Sequence, residues 1–379
     1  MMEKKRVLFT ATVVKQHIMT FHTPYLRMFQ EMGWETAVAS SNDYENPADL
    51  NIPYCDTYYE IPFERIPWKA GNIRAYRELK RIIDTGNFDI IHCHTPVGGL
   101  VTRLAAAGAR KKGTKVLYTA HGFHFHKGSS LVSWLAYYPV EWLMAFLTDV
   151  LLTMNREDYA LARKKMHAKQ VKYVPGVGID TSRFTLCREE RQEKRRELGF
   201  RESDFLILTV AEMNKNKNQS MVLKALALLR DRPEYENMNY LICGMGDYEA
   251  VLRQEAKDLG IDDHVFFMGY RKDIPAMHRC CDLFAFMSYR EGLPVALMEA
   301  MSSGMPTVCS AARGNTDLVE NGKEGFIVEN EARAVADAIL KLYHDPDLRH
   351  RFGQAATEKV QQYDSRNVHR VMKDIYMNA

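Results

Sequence analysis

Two carboxylates stand eight positions apart in the stretch YREGLPVALMEAMSSGMP, residues 289–306: Glu291 and Glu299. From Pro294 to Met301 a helix would be apolar on every side except at Glu299. A buried, uncompensated carboxylate is costly, so Glu299 must hold something. Two partners are open: a core Arg or Lys, or the hydroxyl groups of a ligand. Pro294 suits the first helical position and Gly304 suits the exit, which predicts a helix over 294–303. Its start offers free N–H groups beside Gly292, where backbone can approach a ligand closely, and that combination suits a phosphate or diphosphate. Glu299 lies about 7.5 Å further along the axis. Glu291, before the helix, would at the least balance the N-terminal dipole, worth about 0.3–1 kcal/mol.

Other reactive side chains collect where apolar runs end. After FLILTV comes AEMNKNKN, with Glu212, Lys215 and Lys217; after MNYLIC come Gly244 and Gly246. Earlier, IIHCHTP carries His92 and His94, and VLYTAHGFHFHKG carries His121, His124 and His126. The loop TVVKQHIMTFHTP brings Lys15, Gln16 and His17. Three histidines within six residues of HGFHFH lack a companion carboxylate at a recognised ligand spacing. The one D-x-D, Asp345-Pro346-Asp347, reads as an ordinary helix start. The expectation is therefore no metal and no cofactor, with protein cations neutralising any departing phosphate.

These residues need elements to position them. In the first half RVLFTATV, ETAVAS, FDIIHCH, KVLYTAH and DVLLTM alternate with helix-like segments such as NIRAYRELKRIIDTG. A second series follows: FLILTVAE, MNYLICGMG, HVFFMGY, DLFAFMS, PTVCS and GFIVE. Strand-helix alternation predicts doubly wound parallel sheets, and ligands bind such sheets at the carboxyl ends of the strands. A Pro, two glycines and a charge run place the linker near 175–195, followed by a charged helix. At 379 residues the chain exceeds one ordinary core. The expected domains are 1–180 and 181–363, with a terminal helix at 364–379 capped by Asp364 or Ser365 and returning to the first.

Composition narrows the class. Apolar and charged fractions of 46% and 26% fit a globular protein. Seven cysteines (55, 93, 187, 243, 280, 281 and 309) have no C-x-x-C spacing, which argues against a disulfide framework or a structural zinc site and for a reducing compartment. The basic, then apolar N-terminus reads as a first strand rather than a signal peptide. Residues 1–180 carry 23 Lys and Arg against 17 Asp and Glu. That half either is simply solvated or faces an anionic surface such as a membrane. The apolar segment 131–152 is interrupted by Pro139, Glu141 and Asp149 and is not a span. Its Trp134, Tyr137, Tyr138 and Trp142 suit either a bilayer interface or a core.

YREGLPVALMEAMSSGMPTVCSAARGNTDLVENGKEGFIVE resembles the donor-site block of retaining glycosyltransferases of family 4. DIIHCHTP, YTAHG, PGVGIDTSRF, KNKN, LICGMGDYE and HVFFMGY follow in that family's order over nearly the whole chain. The resemblance implies the GT-B fold, two Rossmann-like doubly wound α/β domains facing across a cleft, with the donor on the second. It implies that Glu299 accepts from both ribose hydroxyls of a nucleotide and that Glu291 contacts the transferring sugar. The amides of Gly292 and Leu293 would bind phosphate, Lys217 the diphosphate, and His121 would sit near the donor sugar. Gly244 joins the donor side, and His94, His124 and His17 the acceptor side. One departure stands out: the family's Arg, five residues before its Lys, is replaced by Glu212. Lys215 or Arg313 must supply that charge, or Glu212 acts on a sugar hydroxyl. The glycines of many relatives are also missing from the first strand-to-helix loop.

The resulting expectation is a metal-independent, retaining hexosyl- or N-acetylhexosaminyltransferase. It would use a UDP-sugar and a glycan or polyprenyl-diphosphate-linked acceptor in bacterial surface polysaccharide synthesis. It would be cytoplasmic, in peripheral contact with the inner membrane, and bind no nucleic acid. A GT-B sugar-nucleotide epimerase and a noncatalytic nucleotide-sugar binding protein are the alternatives.

Overall fold

The computed structural model describes residues 4–379 apart from Arg65, Trp68 and 185–187, so Cys187 and part of the expected linker lie outside the described residues. The chain divides into two compact units, Met1–Val177 with His369–Ala379, and Gly178–Val368.

The first unit is built on seven parallel strands: β1 (Arg6–Val13), β2 (Glu35–Ser41), β3 (Thr57–Glu60), β4 (Ile90–His94), β5 (Lys115–Ala120), β6 (Val150–Thr153) and β7 (Gln170–Tyr173). Their order across the sheet is β3-β2-β1-β4-β5-β6-β7, so the order reverses between β1 and β4. Inner strands such as β1 are buried at nearly every position, as a parallel sheet covered on both faces requires. β3 and β7 escape the sequence reading because TYYE and QVKY are short, half-exposed edge strands without an apolar run.

The second unit has six parallel strands: β8 (Phe205–Val210), β9 (Met238–Cys243), β10 (Val265–Gly269), β11 (Leu283–Phe286), β12 (Thr307–Ser310) and β13 (Gly325–Val328). Their order is β10-β9-β8-β11-β12-β13, reversing between β8 and β11. The charged helix Arg188–Glu197 is not merely solvated: Arg191 and Arg195 both reach Asp282, each at 2.6 Å, and Arg195 is 2% exposed. Asp345 accepts from the Leu348 amide at 2.7 Å and caps the helix Pro346–Val360, which is the helix start that D-x-D suggested.

The terminal helix Ser365–Met377 is strongly amphipathic, burying Val368, Met372, Ile375 and Tyr376. Asp364 accepts from the Arg366 amide at 2.9 Å and caps it, while its second oxygen accepts from Thr181 Oγ1 at 2.6 Å. The hydrogen-bonded Arg366 guanidinium holds the Asp364 carboxyl well below the usual carboxylate range. In the first unit the Tyr376 hydroxyl meets His92 Nδ1 at 2.7 Å.

The apolar segment at 131–152 forms the helix Leu131–Ala145, with Pro139 inside it, and then β6. Glu141 pairs with the fully buried Arg103 at 2.9 Å, and Asp149 with Arg110 at 2.9 Å, so the charges that interrupt the segment tie it to its unit. Among the described residues no helix is long and apolar enough to cross a membrane. Trp134, Tyr138 and Trp142 pack inward, whereas Tyr137 stands exposed with Leu131, Val132, Leu135, Val140, Leu143 and Phe146. The six described cysteines are free, and Cys280 Sγ lies 3.7 Å from Cys281 Sγ, too far for a bond.

Candidate functional site

In the second unit the chain leaves β8 and β11, the strands at the reversal, directly into the two loops that carry the reactive residues. The loop after β8 is tied to the one after β11: the Tyr289 amide donates to the Asn216 carbonyl at 2.8 Å, and Asn216 Nδ2 donates to the Arg290 carbonyl at 3.0 Å. These ties bring Lys217 Nζ to 2.7 Å from Glu291 Oε1. Glu291 is 9% exposed, so the pair is largely shielded from water. The Lys217 amide is held in turn by Asn214 Oδ1 at 3.1 Å.

The helix after Glu291 runs Val295–Ser302, with Pro294 in extended conformation as its cap rather than its first helical residue. It is one residue shorter at each end than the sequence suggests. Gly304, at φ +68°, closes it, its amide donating to the Met301 carbonyl at 3.0 Å. Leu297, Met298, Ala300 and Met301 are buried in the core, which fixes the helix. Leu293 packs partly against the same core with its side chain.

Glu299 is half-buried, and its carboxylate makes no hydrogen bond or ion pair with any described residue. Burial pushes it up to about 7, with the positive charge of Arg183 nearby acting in the opposite direction. The core salt bridge that would have explained it is not formed. A partly enclosed carboxylate without a partner is what a hydroxyl-bearing ligand would complete.

Arg313 is 9% exposed, and its Nε donates to the Glu291 carbonyl at 3.0 Å, bracing the loop from behind. Gly314 is required beside it, since a Cβ there would meet the Gly292 carbonyl oxygen at 2.3 Å. Gly244, at φ +144°, is required for a similar reason: its Cβ would meet the Ala211 carbonyl oxygen at 1.9 Å, so it lets the ends of β8 and β9 lie together. Glu212 is exposed and accepts from Asn214 Nδ2 at 2.9 Å. Lys215 is exposed.

In the first unit β1 runs into a wide π-type turn, Val14–Met19, in place of a glycine loop. The Lys15 and Gln16 amides donate to Asp43 at 2.5 and 3.1 Å. Beside the turn lies a cavity of about 350 Å³ lined by Gln16, His17, Thr95, His124 and Tyr137, among others. The His124 ring stacks on Tyr137 with centroids 4.6 Å apart. His17 and His124 thus reach a surface an acceptor could occupy. His94 does not: it is 0% exposed, and its ring stacks on His22 at 3.7 Å, in the interior. Its expected acceptor-side role is corrected on that ground, because the inward side of β4 is covered. His121 is half-buried, with Nε2 enclosed and without a hydrogen-bond partner among the described residues. Burial lowers His17 to about 4 and holds His22, His94 and His121 well below the ordinary imidazole range.

Two residues of this region escaped sequence reasoning. Thr95 follows β4 at φ +62°, an unusual conformation for a β-branched residue, and its hydroxyl lies 2.6 Å from Thr12 Oγ1 at the cavity wall. No sequence pattern signals it. His22 is 3% exposed and sits among the other histidines. Its spacing from His17 within HIMTFH was the available signal.

Two family models cover most of the chain: "Glycosyl transferase 4-like" matches residues 6–154 and "Glycosyl transferases group 1" residues 190–359. EpsD of Bacillus subtilis, named as a glycosyltransferase, is 39% identical over 376 residues, covering 98% of this chain and 96% of its own. The Escherichia coli enzyme UDP-Gal:alpha-D-GlcNAc-diphosphoundecaprenol alpha-1,3-galactosyltransferase is 26% identical over 294 residues, 75% of each chain. Among solved structures, Anabaena HepE in complex with UDP has a TM-score of 0.80 at 20% identity and covers 100% of both chains. Sucrose-phosphate synthase from Thermosynechococcus elongatus has a TM-score of 0.80 at 18% identity over 99% of both.

Proposed function

This chain belongs to the family 4 glycosyltransferases of the GT-B fold, and on that premise we propose that it is a retaining enzyme using a UDP-sugar. The observation that carries the reading is the Lys217–Glu291 pair set beside the open start of the Val295–Ser302 helix, with the unpaired Glu299 carboxylate further along it. Glu299 accepts from the two ribose hydroxyls. The amides of Gly292 and Leu293 and the ammonium of Lys217 take the diphosphate, combining a helix N-terminus with a cation. Arg313 donates through Nε to the Glu291 carbonyl and braces the loop, and the exposed Lys215 is assigned the charge that compensates for Glu212, with Glu212 left for a sugar hydroxyl.

Glu291 contacts the transferring sugar, and His121 donates a hydrogen bond on the donor side. The bond from the anomeric carbon to the diphosphate oxygen breaks as the acceptor oxygen bonds to the same face. The acceptor's hydroxyl proton passes to the departing phosphate oxygen. Stabilising that leaving charge by fixed cations and amides requires no exchangeable metal.

The acceptor is a glycan or a lipid-linked saccharide of bacterial surface polysaccharide synthesis. The diphosphoundecaprenol substrate in the name of the E. coli relative supports a lipid-linked one. The exposed aliphatic side chains of the Leu131–Ala145 helix then rest on the membrane that holds the acceptor.

A donor screen tests the reading. UDP-, GDP- and ADP-sugars are compared by thermal shift, where a ligand at 100 times its Kd stabilises by about 2.7 kcal/mol. Selective stabilisation by a UDP-sugar, and a transfer product with the donor's anomeric configuration, are expected. An inverted product, or release of epimerised sugar nucleotide without acceptor, overturns it.

A further inference from the structure

Four histidines meet at the carboxyl ends of three neighbouring strands. His17 and His22 follow β1, His94 ends β4, and His121 follows β5. One ring nitrogen from each can be chosen so that all four lie within 4.8 Å of one another. The ring centroids of His22 and His94 are 3.7 Å apart, and those of His17 and His121 4.7 Å.

Their hydrogen bonding is anomalous. Nε2 of His17, Nε2 of His121 and both ring nitrogens of His22 and His94 are buried and have no hydrogen-bond partner among the described residues. His92, two residues before His94 and equally buried, shows what the fold normally supplies: Tyr376 Oη at 2.7 Å on one nitrogen and Thr119 Oγ1 at 2.8 Å on the other. A single unpartnered buried group costs roughly 1–3 kcal/mol, and six nitrogens share this fate in one place. Packing alone gives no reason to gather imidazoles here, where apolar rings would fit without that cost.

We propose that His17, His22, His94 and His121 form a binding site for one divalent first-row metal ion of the zinc class. An all-imidazole set without carboxylates suits zinc and its neighbours and disfavours magnesium or calcium. Burial keeps the rings neutral, the form that offers a lone pair. Tetrahedral ligation at about 2.0–2.1 Å sets the nitrogens about 3.3 Å apart. The cluster must therefore contract by up to about 1.5 Å, which ring rotation and opening of the His22–His94 stack provide. The ion satisfies one nitrogen of each ring, and its charge lies toward the open cavity that His17 lines.

Two consequences follow. The ion pins the Val14–Met19 turn to the ends of β4 and β5, which fixes one wall of the cavity. Ligation through the enclosed Nε2 of His17 and His121 also leaves each with a proton on Nδ1, turning both into fixed donors. This site is separate from the residues proposed for the diphosphate and stands whichever sugar is transferred.

The test uses the full chain produced in zinc-supplemented medium, desalted, and assayed for metal by mass spectrometry. About one zinc per chain is expected. His22→Phe and His94→Phe fill the same space without a ligand atom and should lose the ion, whereas the exposed His350→Gln should retain it. In parallel, cobalt(II) added to chelator-treated wild-type protein should give the intense visible absorption of tetrahedral coordination. That spectrum decides alone should the phenylalanine variants not fold. A wild-type chain that retains no zinc and leaves cobalt with its aqueous spectrum overturns the proposal. So does equal zinc retention by folded His22→Phe and His94→Phe.

Discussion

Lys217 and Glu291, 74 residues apart in sequence, form a 2.7 Å ion pair at the mouth of the Val295–Ser302 helix. Each neutralises the other until a donor arrives. On the proposed reading, an incoming diphosphate competes for the ammonium and leaves Glu291 free for the sugar. Lys217→Ala should lower kcat/KM about 10²–10³-fold, the scale of losing one preorganised electrostatic group. Glu291→Gln should leave nucleotide affinity nearly unchanged and lower kcat. Steady-state kinetics beside nucleotide titration separate the two. Equal losses in binding for both variants would sink the division of roles.

Glu299 titrates within reach of ordinary assays, because burial raises it from 4.5 to about 7. A raised carboxyl favours the folded state when protonated, so its stabilising contribution is complete below pH 4.5 and is lost as pH rises to about 7. Ribose binding runs the other way, since only the carboxylate accepts from both hydroxyls. Affinity for a UDP-sugar should therefore rise with pH up to about 7. In Glu299→Gln it should be weaker, and the rise should flatten. Isothermal titration across that range is the measurement, and an identical pH profile in the variant refutes the ribose assignment.

Brief treatment with excess EDTA should leave transfer intact if, as proposed, Lys217 and the helix terminus take the diphosphate charge. The proposed histidine site is a separate matter, and loss of turnover restored by zinc but not by magnesium or manganese would report on it instead. Complete loss of turnover, restored by added magnesium or manganese, would contradict the metal-free handling of the leaving group.

The Tyr376 hydroxyl satisfies one nitrogen of the fully buried His92. Tyr376→Phe keeps the ring packing and strands that nitrogen, at a cost of roughly 1–3 kcal/mol. Chemical denaturation should report the loss while nucleotide affinity, proposed to lie with the second unit, stays constant. Undiminished stability would show that the contact contributes nothing.

Leu131, Leu135 and Leu143 are 74, 70 and 54% exposed on one helix. Replacing all three by Glu should abolish co-sedimentation with anionic phospholipid vesicles and leave transfer to a water-soluble acceptor unchanged. Vesicle binding equal to that of the unmodified chain would remove the lipid surface as the helix's partner.

Much of the fold was legible because apolar runs such as RVLFTATV and FLILTV carry their own strand signal. The helix after Glu291 was legible to within one residue at each end, because Pro294 fixes φ at its start and Gly304 supplies the left-handed exit. Glu299 was conspicuous for an equally local reason, as a charge in an apolar helix.

What tertiary structure decided depends on distance in sequence. No periodicity reveals that Lys217 meets Glu291 or that Arg313 braces Glu291 from behind, because strand order brings those loops together. The segment at 131–152 carried both aromatic and aliphatic residues, and only packing turned the tryptophans inward and the leucines out. His94 looked like a surface ligand at a strand end; coverage of β4 made it interior. The histidine cluster itself arises because β1, β4 and β5 are neighbours in the sheet though dispersed along the chain. Sequence determines what each segment can become through its local pattern of burial, whereas the partners of a charge or an imidazole are set by which strands the fold lays side by side.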